Sequence, residues 1–376
     1  MARVAIIGAG QLGMMLGAAG RELGVDCVFL DPSQAPPAAR VGTVIRAAYD
    51  DADALAQLAD GADALTYEFE NVPVAALGAL PPELPVRPPP AALAEAQDRA
   101  REKRLFERLG IPLPRWWSVA GSGDLRAASR DVGLPLVLKT RRFGYDGKGQ
   151  AVVRSEADFD SALERLPRRP LVAEALVPFD REVSAIGVRG ANGATAFYPL
   201  TENVHRGGIL HTSVAPVGPE ALAAAARDYC GRLLEALDYV GVLALELFVV
   251  GDTLLANEFA PRVHNSGHWT IEGAATSQFA NHLRAVLGMP LGDTSATADA
   301  GMLNIVGTLP DAAGALSATG ATLHDYGKSA RPGRKLAHAT VLGASGRERD
   351  RRLAQLAELL HARPAARPVS PKPGGE

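Results

Sequence analysis

The first 31 residues place a glycine turn between apolar runs in an order that restricts the fold. VAIIG (4–8) and CVFLD (27–31) predict strands, and the Ala- and Leu-rich stretch between GAGQLG (8–13) and Gly24 predicts a helix. A strand, a helix and a strand in this order favour a parallel sheet, because parallel neighbours need a crossover connection. The sequence therefore predicts an N-terminal α/β unit, which apolar runs such as 64–67 continue to about residue 80.

Residues 81–90, PPELPVRPPP, contain six prolines. Proline fixes φ and lacks an N–H group, so this segment is neither a helix interior nor a central strand. We place a domain connection here. Residues 91–109 then predict one helix, which Gly110 ends.

Closely spaced apolar runs over 134–188 predict strands of a small antiparallel or mixed domain. A helix is predicted over 219–238, followed by two strands around Gly251-Asp252-Thr253. The last α/β portion starts near Gly301 and closes with a helix that places three leucines on one face, Leu353, Leu356 and Leu360. The Pro-rich ending is predicted to be disordered.

Charge and cysteine content exclude several classes of protein. The net charge of −3 argues against a basic surface that coats nucleic acid. Two cysteines provide neither a disulfide framework nor a thiolate metal cluster, which predicts a reducing compartment. The strand at Val4 leaves no room for a signal peptide, and the apolar run 240–250 is too short to span a bilayer. A cytoplasmic protein without membrane or nucleic-acid partners is expected.

The first glycine turn is open to two interpretations. Its GxGxxG pattern follows a strand and precedes a helix, where free backbone amides and the helix dipole favour an anion. A dinucleotide site would use Asp31, at the end of the next strand, to bind ribose. The same glycines also serve helix packing or bind another phosphate.

A second glycine loop, GYDGKGQ (144–150), lies between two predicted strands. It lacks the GK[ST] pattern and the following helix of a P-loop. Of the 39 basic residues only six are lysines, and Lys139 and Lys148 both belong to this region. We therefore interpret it as a flap over nucleotide phosphates, the alternative being a solvated basic hairpin.

Glu246 and Glu258 flank the predicted hairpin turn at equal distances from residue 252. A three-residue loop would place them opposite each other on one face, where two carboxylates repel unless a cation or a shared proton compensates. Asn265 adds a third oxygen donor. Oxygen ligands of this kind are typical of Mg²⁺ held between carboxylates and phosphates. A different register would leave two unrelated edge glutamates.

Two further clusters carry basic residues. His264 and His268 are four residues apart, but Asn265-Ser266-Gly267 between them is turn-like, so zinc is disfavoured and Arg262 and His264 are predicted to contact a phosphate or to position a substrate. The segment 328–335 contains two lysines and two arginines. It is either a solvated loop or an anion site, if it faces the first glycine turn.

These motifs together resemble the ATP-grasp ligases and, more closely, the family of 5-(carboxyamino)imidazole ribonucleotide synthases of purine biosynthesis. The resemblance covers Ile6 to about residue 345. It is carried by GAGQLG (8–13), YEFENV (67–72), QDRAREK (97–103), GYDGKGQ (144–150), FYPLTENVHRGGILHTSVAP (197–216), NEFAPRVHNSGHWT (257–270) and RPGRK (331–335). Met14 departs from the arginine that the family has after the first glycine motif.

The resemblance implies a mixed α/β and α+β protein with an ATP-grasp fold. Its expected parts are an N-terminal Rossmann-like pre-ATP-grasp domain (1–96), an ATP-grasp domain (97–295) with a flap subdomain at about 113–177, a small C-terminal domain (296–364) and a tail (365–376). The implied substrates are ATP, bicarbonate and 5-aminoimidazole ribonucleotide, with Mg²⁺ as two ions and without biotin. A homodimer and a downstream mutase are implied as partners.

The resemblance also implies site residues. ATP is expected at Arg99, Lys139, Gly144, Tyr145, Asp146, Gly147, Lys148, Gly149, Gln150, Glu174, Ala175, Leu176, Val177, Glu182, His205, Asn257 and Glu258. Of these, 174–177 would contact adenine and Glu182 the ribose. Mg²⁺ is expected at Glu246, Glu258 and Asn265. The ribonucleotide and carboxylation site is expected at Tyr145, Asp146, Arg262, His264, Ser266, Lys328, Arg334 and Lys335, with the turn 8–13 nearby.

Three alternatives stay open at the level of sequence. One is another ATP-grasp ligase, such as the formate-dependent glycinamide ribonucleotide transformylase. Another is an NAD-dependent dehydrogenase built on the first glycine turn, although it leaves the glutamates and the flap unexplained. The third is an inactive binding protein, against which the complete set of carboxylates and lysines argues.

Overall fold

The computed structural model describes residues 1–144, 148–166 and 170–361. Its first part is the predicted parallel α/β unit. The elements are β1 (Arg3–Ile7), α1 (Gln11–Leu23), β2 (Asp26–Leu30), β3 (Thr43–Ile45), α2 (Ala52–Ala59), β4 (Ala64–Tyr67) and α3 (Val74–Leu77). The strands pair in the order β3-β2-β1-β4, all parallel. Helix α1 ends where Gly24 adopts a φ of +69°, a conformation that glycine enters without steric cost.

The proline-rich segment runs along the edge of this sheet. Val86 makes an isolated parallel bridge to Leu65, and Leu84 is buried. An edge position fits the prolines, because they cannot donate to a ladder on both sides.

The predicted helix over 91–109 is wrong in one respect, since it is two helices, α4 (Pro90–Ala96) and α5 (Arg99–Arg108). Asp98 interrupts them in an extended conformation and accepts a hydrogen bond from the Ala100 N–H at 3.0 Å. Aspartate is a favoured N-cap, so the break restarts the chain as a new helix that carries Arg99 in its first turn.

The next unit is antiparallel and contains the second glycine loop. Its elements are β5 (Trp116–Val119), α6 (Ser122–Asp131), β6 (Leu136–Thr140), β7 (Gln150–Val153), α7 (Phe159–Arg165) and β8 (Leu171–Ala175). The strands pair in the order β5-β8-β6-β7. Lys139 pairs with Gln150 in the β6-β7 hairpin, so the second glycine loop connects these two strands.

The remaining strands form one large sheet in the order β14-β13-β9-β11-β12-β15-β17-β16, with β10 paired to β9. Its elements are β9 (Arg181–Arg189), β10 (Thr195–Phe197), β11 (Thr201–Arg206), β12 (Ile209–Ala215), α8 (Glu220–Ala236), β13 (Gly241–Val250), β14 (Thr253–Ala260), α9 (Thr270–Gly273), α10 (Gln278–Val286), β15 (Asp299–Val306), α11 (Ala313–Thr319), β16 (Thr322–Asp325), β17 (Lys335–Gly343) and α12 (Gly346–His361). Because β15 pairs with β12, the C-terminal strands extend the same sheet.

Buried apolar faces hold these layers together. Helix α12 buries Leu353, Leu356 and Leu360, as their spacing predicts, against β15 and β17. Helix α8 covers β9 and β13 with Leu233 and Leu234. Across the described ranges, every helix is too short or too polar to cross a bilayer.

Candidate active site

A cavity of about 460 Å³ lies between the antiparallel unit, the hairpin β13-β14 and the N-terminal unit. Fifteen residues predicted from the sequence line it: Arg99, Lys139, Gly144, Lys148, Gln150, Leu176, Glu182, His205, Glu246, Asn257, Glu258, Arg262, His264, Asn265 and Lys335. Residues from widely separated parts of the chain thus meet in one space.

The hairpin β13-β14 brings the two predicted metal-binding glutamates together. Glu246 pairs with Glu258, as expected, but the loop has two residues rather than three, Gly251 and Asp252. A two-residue loop alone would pair Glu246 with Asn257. A β-bulge at Asn257 adds one residue to β14, so that Asn257 and Glu258 both reach the cavity opposite Glu246.

Each of these carboxylates is paired with a basic side chain. Glu258 Oε2 lies 2.6 Å from Arg99 Nη1, and Glu246 Oε1 lies 3.1 Å from His264 Nε2. Burial alone would raise the pKa of Glu246, but the hydrogen bond and charge of His264, with His205 nearby, hold it well below its usual range. Glu246 is therefore ionised at neutral pH. Both carboxylates are held by side chains, which are able to move.

Asn265 fits the role of a further oxygen donor. Its side chain is buried, and neither its Oδ1 nor its Nδ2 has a hydrogen-bond partner among the described residues. An amide in this state is costly unless a ligand or water satisfies it. Nowhere in residues 1–144, 148–166 and 170–361 do three His, Cys, Asp or Glu side chains come together as a metal site. A hard cation here would need phosphate oxygens or water to complete its coordination, as Mg²⁺ usually does.

Glu174, which is predicted to contact adenine, is not among the residues that line the cavity. Its side chain is buried, and its Oε2 lies 2.9 Å from Lys139 Nζ and 3.1 Å from Lys103 Nζ. Burial would raise the pKa of Glu174, but the two lysines and Arg99 lower it to about 2. Lys139 also reaches Asn257 Oδ1 at 3.5 Å. This carboxylate therefore orients Lys139 at the cavity wall.

Glu182 and His205 form a second polar pair at the wall. The Glu182 Oε2 lies 2.6 Å from His205 Nδ1. Burial would lower the pKa of His205, but the hydrogen bond to Glu182 and the nearby charge of Glu246 raise it. The shift favours the protonated form of His205.

The basic loop at 328–335 meets the first glycine turn, the condition under which an anion site was predicted. Lys328 Nζ donates to Gln11 Oε1, and Arg334 Nη1 donates to Ser329 Oγ at 2.8 Å. Burial lowers the pKa of Lys328 to about 8, although Glu68 opposes this shift. Lys328 and Arg334 lie behind the cavity wall, which Lys335 and Gln11 reach.

The first glycine turn is closed by the protein itself. Glu68 accepts from the Gly10 N–H at 2.8 Å and the Gly13 N–H at 3.3 Å, so a carboxylate already occupies the anion position at α1. Asp31, the ribose ligand of the dinucleotide interpretation, accepts from the Ala9 N–H, the Ser33 N–H and the Tyr49 hydroxyl. Neither carboxylate is left for a dinucleotide, which removes the basis of that alternative.

Arg262 and His264 are both held by neighbours at the cavity wall. Arg262 Nε donates to Glu70 Oε2, and the His264 Nδ1 lies 2.8 Å from Ser266 Oγ. Ser266 itself is buried. His268 is also buried, with its ring 4.7 Å from that of His338, and does not line the cavity.

Some predicted positions do not line the cavity, and others lie outside the described residues. Gly149, Glu174, Ala175, Val177, Ser266, Lys328 and Arg334 lie next to its lining residues or behind them. Tyr145, Asp146, Gly147 and the tail 365–376 lie outside the described residues.

The sequence interpretation missed several lining residues. Gln97, Glu102 and Glu70 line the cavity, and so does Phe248, which stacks on Phe179 at 4.7 Å. Glu70 belongs to YEFENV, so its motif offered a signal. Glu102 offered none, because its importance comes from burial. Burial and the nearby charge of Glu258 raise the pKa of Glu102 to about 8, although Arg99 and Lys103 oppose the shift.

Comparisons with known protein families agree with this architecture. The chain matches the ribonucleotide synthetase preATP-grasp domain over residues 1–97, the ATP-grasp domain over 104–279 and the phosphoribosylaminoimidazole carboxylase C-terminal domain over 300–352. The fold and the cavity therefore define an ATP-grasp ligase, and the predicted fold class is confirmed.

Individual relatives narrow the family. A Pseudomonas aeruginosa protein named N5-carboxyaminoimidazole ribonucleotide synthase is 49% identical over 360 residues, which are 96% of this chain and 100% of the relative. The crystal structure of the synthetase of that name from Thermus thermophilus superposes with a TM-score of 0.91 at 51% identity, covering 96% of this chain and 99% of that one. The chain belongs to the N5-carboxyaminoimidazole ribonucleotide synthase family, which confirms the family resemblance and the enzyme class.

A further solved structure bears on the ligands of a relative. The Aspergillus clavatus N5-carboxyaminoimidazole synthase, crystallised with ADP and 5-aminoimidazole ribonucleotide, superposes with a TM-score of 0.89. It is 31% identical, and the match covers 96% of this chain and 98% of that one.

Proposed function

We propose that this protein uses ATP and bicarbonate to carboxylate the amino group of 5-aminoimidazole ribonucleotide. The products would be 5-(carboxyamino)imidazole ribonucleotide, ADP and phosphate. The observation that carries this proposal is the facing of Glu246 and Glu258 in the same cavity as Arg99 and Lys139. The Aspergillus clavatus relative, whose complex contains ADP and the same ribonucleotide, supports the choice of substrates.

The nucleotide end of the cavity would lie between the antiparallel unit and the hairpin β13-β14. Arg99 and Lys139 would neutralise phosphate charge, and Phe248 and Leu176 supply apolar surface for a base. Phosphoryl transfer depends mainly on positioning and charge stabilisation, so fixed cations are the expected equipment. Glu182 and His205 are placed at the wall to bind polar groups of the nucleotide.

Mg²⁺ fits the oxygen donors of Glu246, Glu258 and Asn265, and it would neutralise charge on the transferred phosphoryl group. Binding would take Glu246 from His264 and Glu258 from Arg99. His264 and Arg99 would then be released toward substrate anions. We propose that two Mg²⁺ ions bind here.

In the first step, a bicarbonate oxygen would attack the γ-phosphorus while ADP leaves, which forms carboxyphosphate. In the second step, the amine nitrogen would bond to the carboxyl carbon, either of carboxyphosphate or of CO₂ derived from it, while phosphate leaves and the amine loses a proton. Arg262 and His264 are close enough to the glutamate pair to hold these anions. Asp146 would orient the substrate amine or accept its proton.

Water has to be kept away from carboxyphosphate, because hydrolysis wastes ATP. The β6-β7 loop borders the cavity with Gly144, Lys148 and Gln150. In this proposal it closes over the nucleotide and completes the enclosure.

The ribonucleotide would bind at the end of the cavity near the first glycine turn. Lys335 and Gln11 line that end, with Lys328 behind them. A phosphate monoester there would meet several positive charges from one loop. The same resemblance supports a cytoplasmic homodimer and a mutase that consumes the labile product.

The proposal is tested by ADP release from the purified protein with ATP and Mg²⁺. 5-Aminoimidazole ribonucleotide with bicarbonate should stimulate ADP release strongly, and glycinamide ribonucleotide with formate should not. The reverse result would assign the protein to the transformylase reaction. Light scattering of the eluted protein tests the dimer.

A further inference from the structure

A fully buried lysine lies behind the nucleotide end of the cavity. Lys103 follows Arg99 by one turn of α5, and its side chain is 0% exposed. Its Nζ lies 3.1 Å from Glu174 Oε2, the same oxygen that lies 2.9 Å from Lys139 Nζ. One carboxylate oxygen is thus shared by a lysine that lines the cavity and a lysine that does not.

The position of Lys103 is fixed from several sides. Helix α5 is capped by Asp98. The residue before Lys103, Glu102, accepts a hydrogen bond from the Phe259 N–H of β14 at 2.7 Å. Apart from Glu174, the ionisable groups around Lys103 are Arg99, Glu102 and Lys139. Burial lowers the pKa of Lys103, and Glu174 is the strongest of the groups that oppose this shift. A buried ammonium group is unfavourable unless an opposite charge compensates it, and Glu174 supplies that charge.

Together, Lys103, Glu174 and Lys139 have a net charge of one positive unit when all three are ionised. If Glu174 faced Lys139 alone, the pair would be neutral and would attract a triphosphate only weakly. Lys103 adds a second positive charge on the protein side of Glu174. The charge of Lys139 on the cavity side is then left available for a ligand.

We propose that Lys103 is a positioning residue that acts through Glu174, neutralising this carboxylate so that Lys139 presents its full charge to the phosphates of ATP. The inference rests on the proposed function, which places the ATP phosphates at Lys139. Lys103 itself touches no substrate.

The experiment compares the dissociation constant for ATP, measured by calorimetry, in four variants. Lys103→Met should weaken ATP binding roughly tenfold, as expected when one charge near a phosphate is lost in a partly screened cleft. Lys103→Met combined with Glu174→Gln restores the net charge and should bind ATP within about threefold of wild type. Lys103→Arg should stay near wild type. Arg104→Met, which removes an exposed charge from the same helix, is the matched control and should have no effect.

Recovery in the double variant shows that charge, not the bulk of the lysine side chain, is responsible, because the lysine is still missing. A thermal melt of Lys103→Met near that of wild type separates this role from a merely structural one, since a folding defect would lower the melting temperature as well as ATP binding. ATP binding in the double variant as weak as in Lys103→Met would overturn the inference. If Lys103→Met does not fold, the double variant is measured alone, because it buries no unpaired charge. ATP binding weaker than about threefold below wild type in the double variant would then overturn the inference.

A further variant separates this inference from the proposed function. Lys139→Met should weaken ATP binding more than Lys103→Met does. Unchanged ATP binding in Lys139→Met would contradict the proposed nucleotide site itself. Weak binding in Lys139→Met together with normal binding in Lys103→Met would contradict only the role of Lys103.

Discussion

Two pairs of carboxylates in this protein have different hydrogen-bond partners. Asp31 and Glu68, around the first glycine turn, accept hydrogen bonds from four backbone amides and the Tyr49 hydroxyl. Glu246 and Glu258, on the hairpin β13-β14, are instead paired with the side chains of His264 and Arg99. Backbone amides are fixed by the fold, whereas side-chain cations can turn away.

The comparison explains why two similar sequence signals have different meanings. A glycine turn with acidic residues nearby suggests an anion site, yet its own carboxylates occupy it here. A pair of glutamates across a hairpin would be expected to destabilise the fold by repulsion. Here the pair faces a cavity and is held by the side chains of Arg99 and His264, which can move. The neighbours of a carboxylate therefore decide whether it serves the fold or a ligand.

The largest expected effect comes from the cavity pair. Glu258→Gln should lower ATP turnover by about 100-fold or more, because it removes the charge of a metal ligand while keeping the side-chain volume. ADP release measures the loss, and a thermal melt near that of wild type shows an intact fold. Glu235→Gln, on the exposed face of α8, is the control. Full activity of Glu258→Gln would mean that Glu246 and Glu258, like Asp31 and Glu68, serve the fold and do not bind a ligand.

Glu174 offers a case between the two pairs, since it is buried and held by movable side chains. Its pKa is lowered from 4.5 to about 2, so its stabilisation is complete above about pH 4.5 and is lost as the pH falls toward 2. Glu174→Gln should reduce the free energy of unfolding at pH 7 by about 2–3 kcal/mol, and the difference from wild type should shrink toward pH 3. Urea unfolding at both values measures it. A difference independent of pH would contradict the ion-pair account.

The first pair should affect stability rather than catalysis. Asp31→Asn should lower the free energy of unfolding by about 1–3 kcal/mol, because an amide accepts through one oxygen only and leaves a buried donor unpaired. The KM for ATP should not change. Asp50→Asn, at an exposed position nearby, should leave both quantities near wild type. A large loss of ATP affinity in Asp31→Asn would return the first turn to the list of nucleotide sites.

The smallest effect concerns the ribonucleotide end. Lys335→Ala should raise the KM for 5-aminoimidazole ribonucleotide about tenfold and the KM for ATP by less than about twofold, since one phosphate contact is removed at one end of the cavity. Arg331→Ala, exposed in the same loop, is the control. Equal effects on both constants would mean that the loop serves the nucleotide.

The hairpin shows how far sequence reasoning reaches. The sequence predicted that Glu246 faces Glu258, and the pair is present. The reasoning was incomplete, because a shorter loop and a bulge at Asn257 produce the pair together. A bulge inserts one residue without an unmistakable signal in composition, so its place was not predictable.

The break between α4 and α5 is a different kind of failure. Apolar spacing continues through Gln97 and Asp98, which predicted one helix. The side chain of Asp98 restarts the chain as a new helix, and its N-cap character was visible in the sequence.

The sequence by itself determined the parallel α/β start, the glycine loop between strands, the facing glutamates and the family, because these features depend on short-range patterns and on extended motifs. Only the tertiary structure decided which charges meet. Arg99 and Glu258 are 159 residues apart in sequence, and Lys139 and Glu174 are 35 apart. The strength of such pairs depends on distance and on the exclusion of water, which the packed chain alone provides.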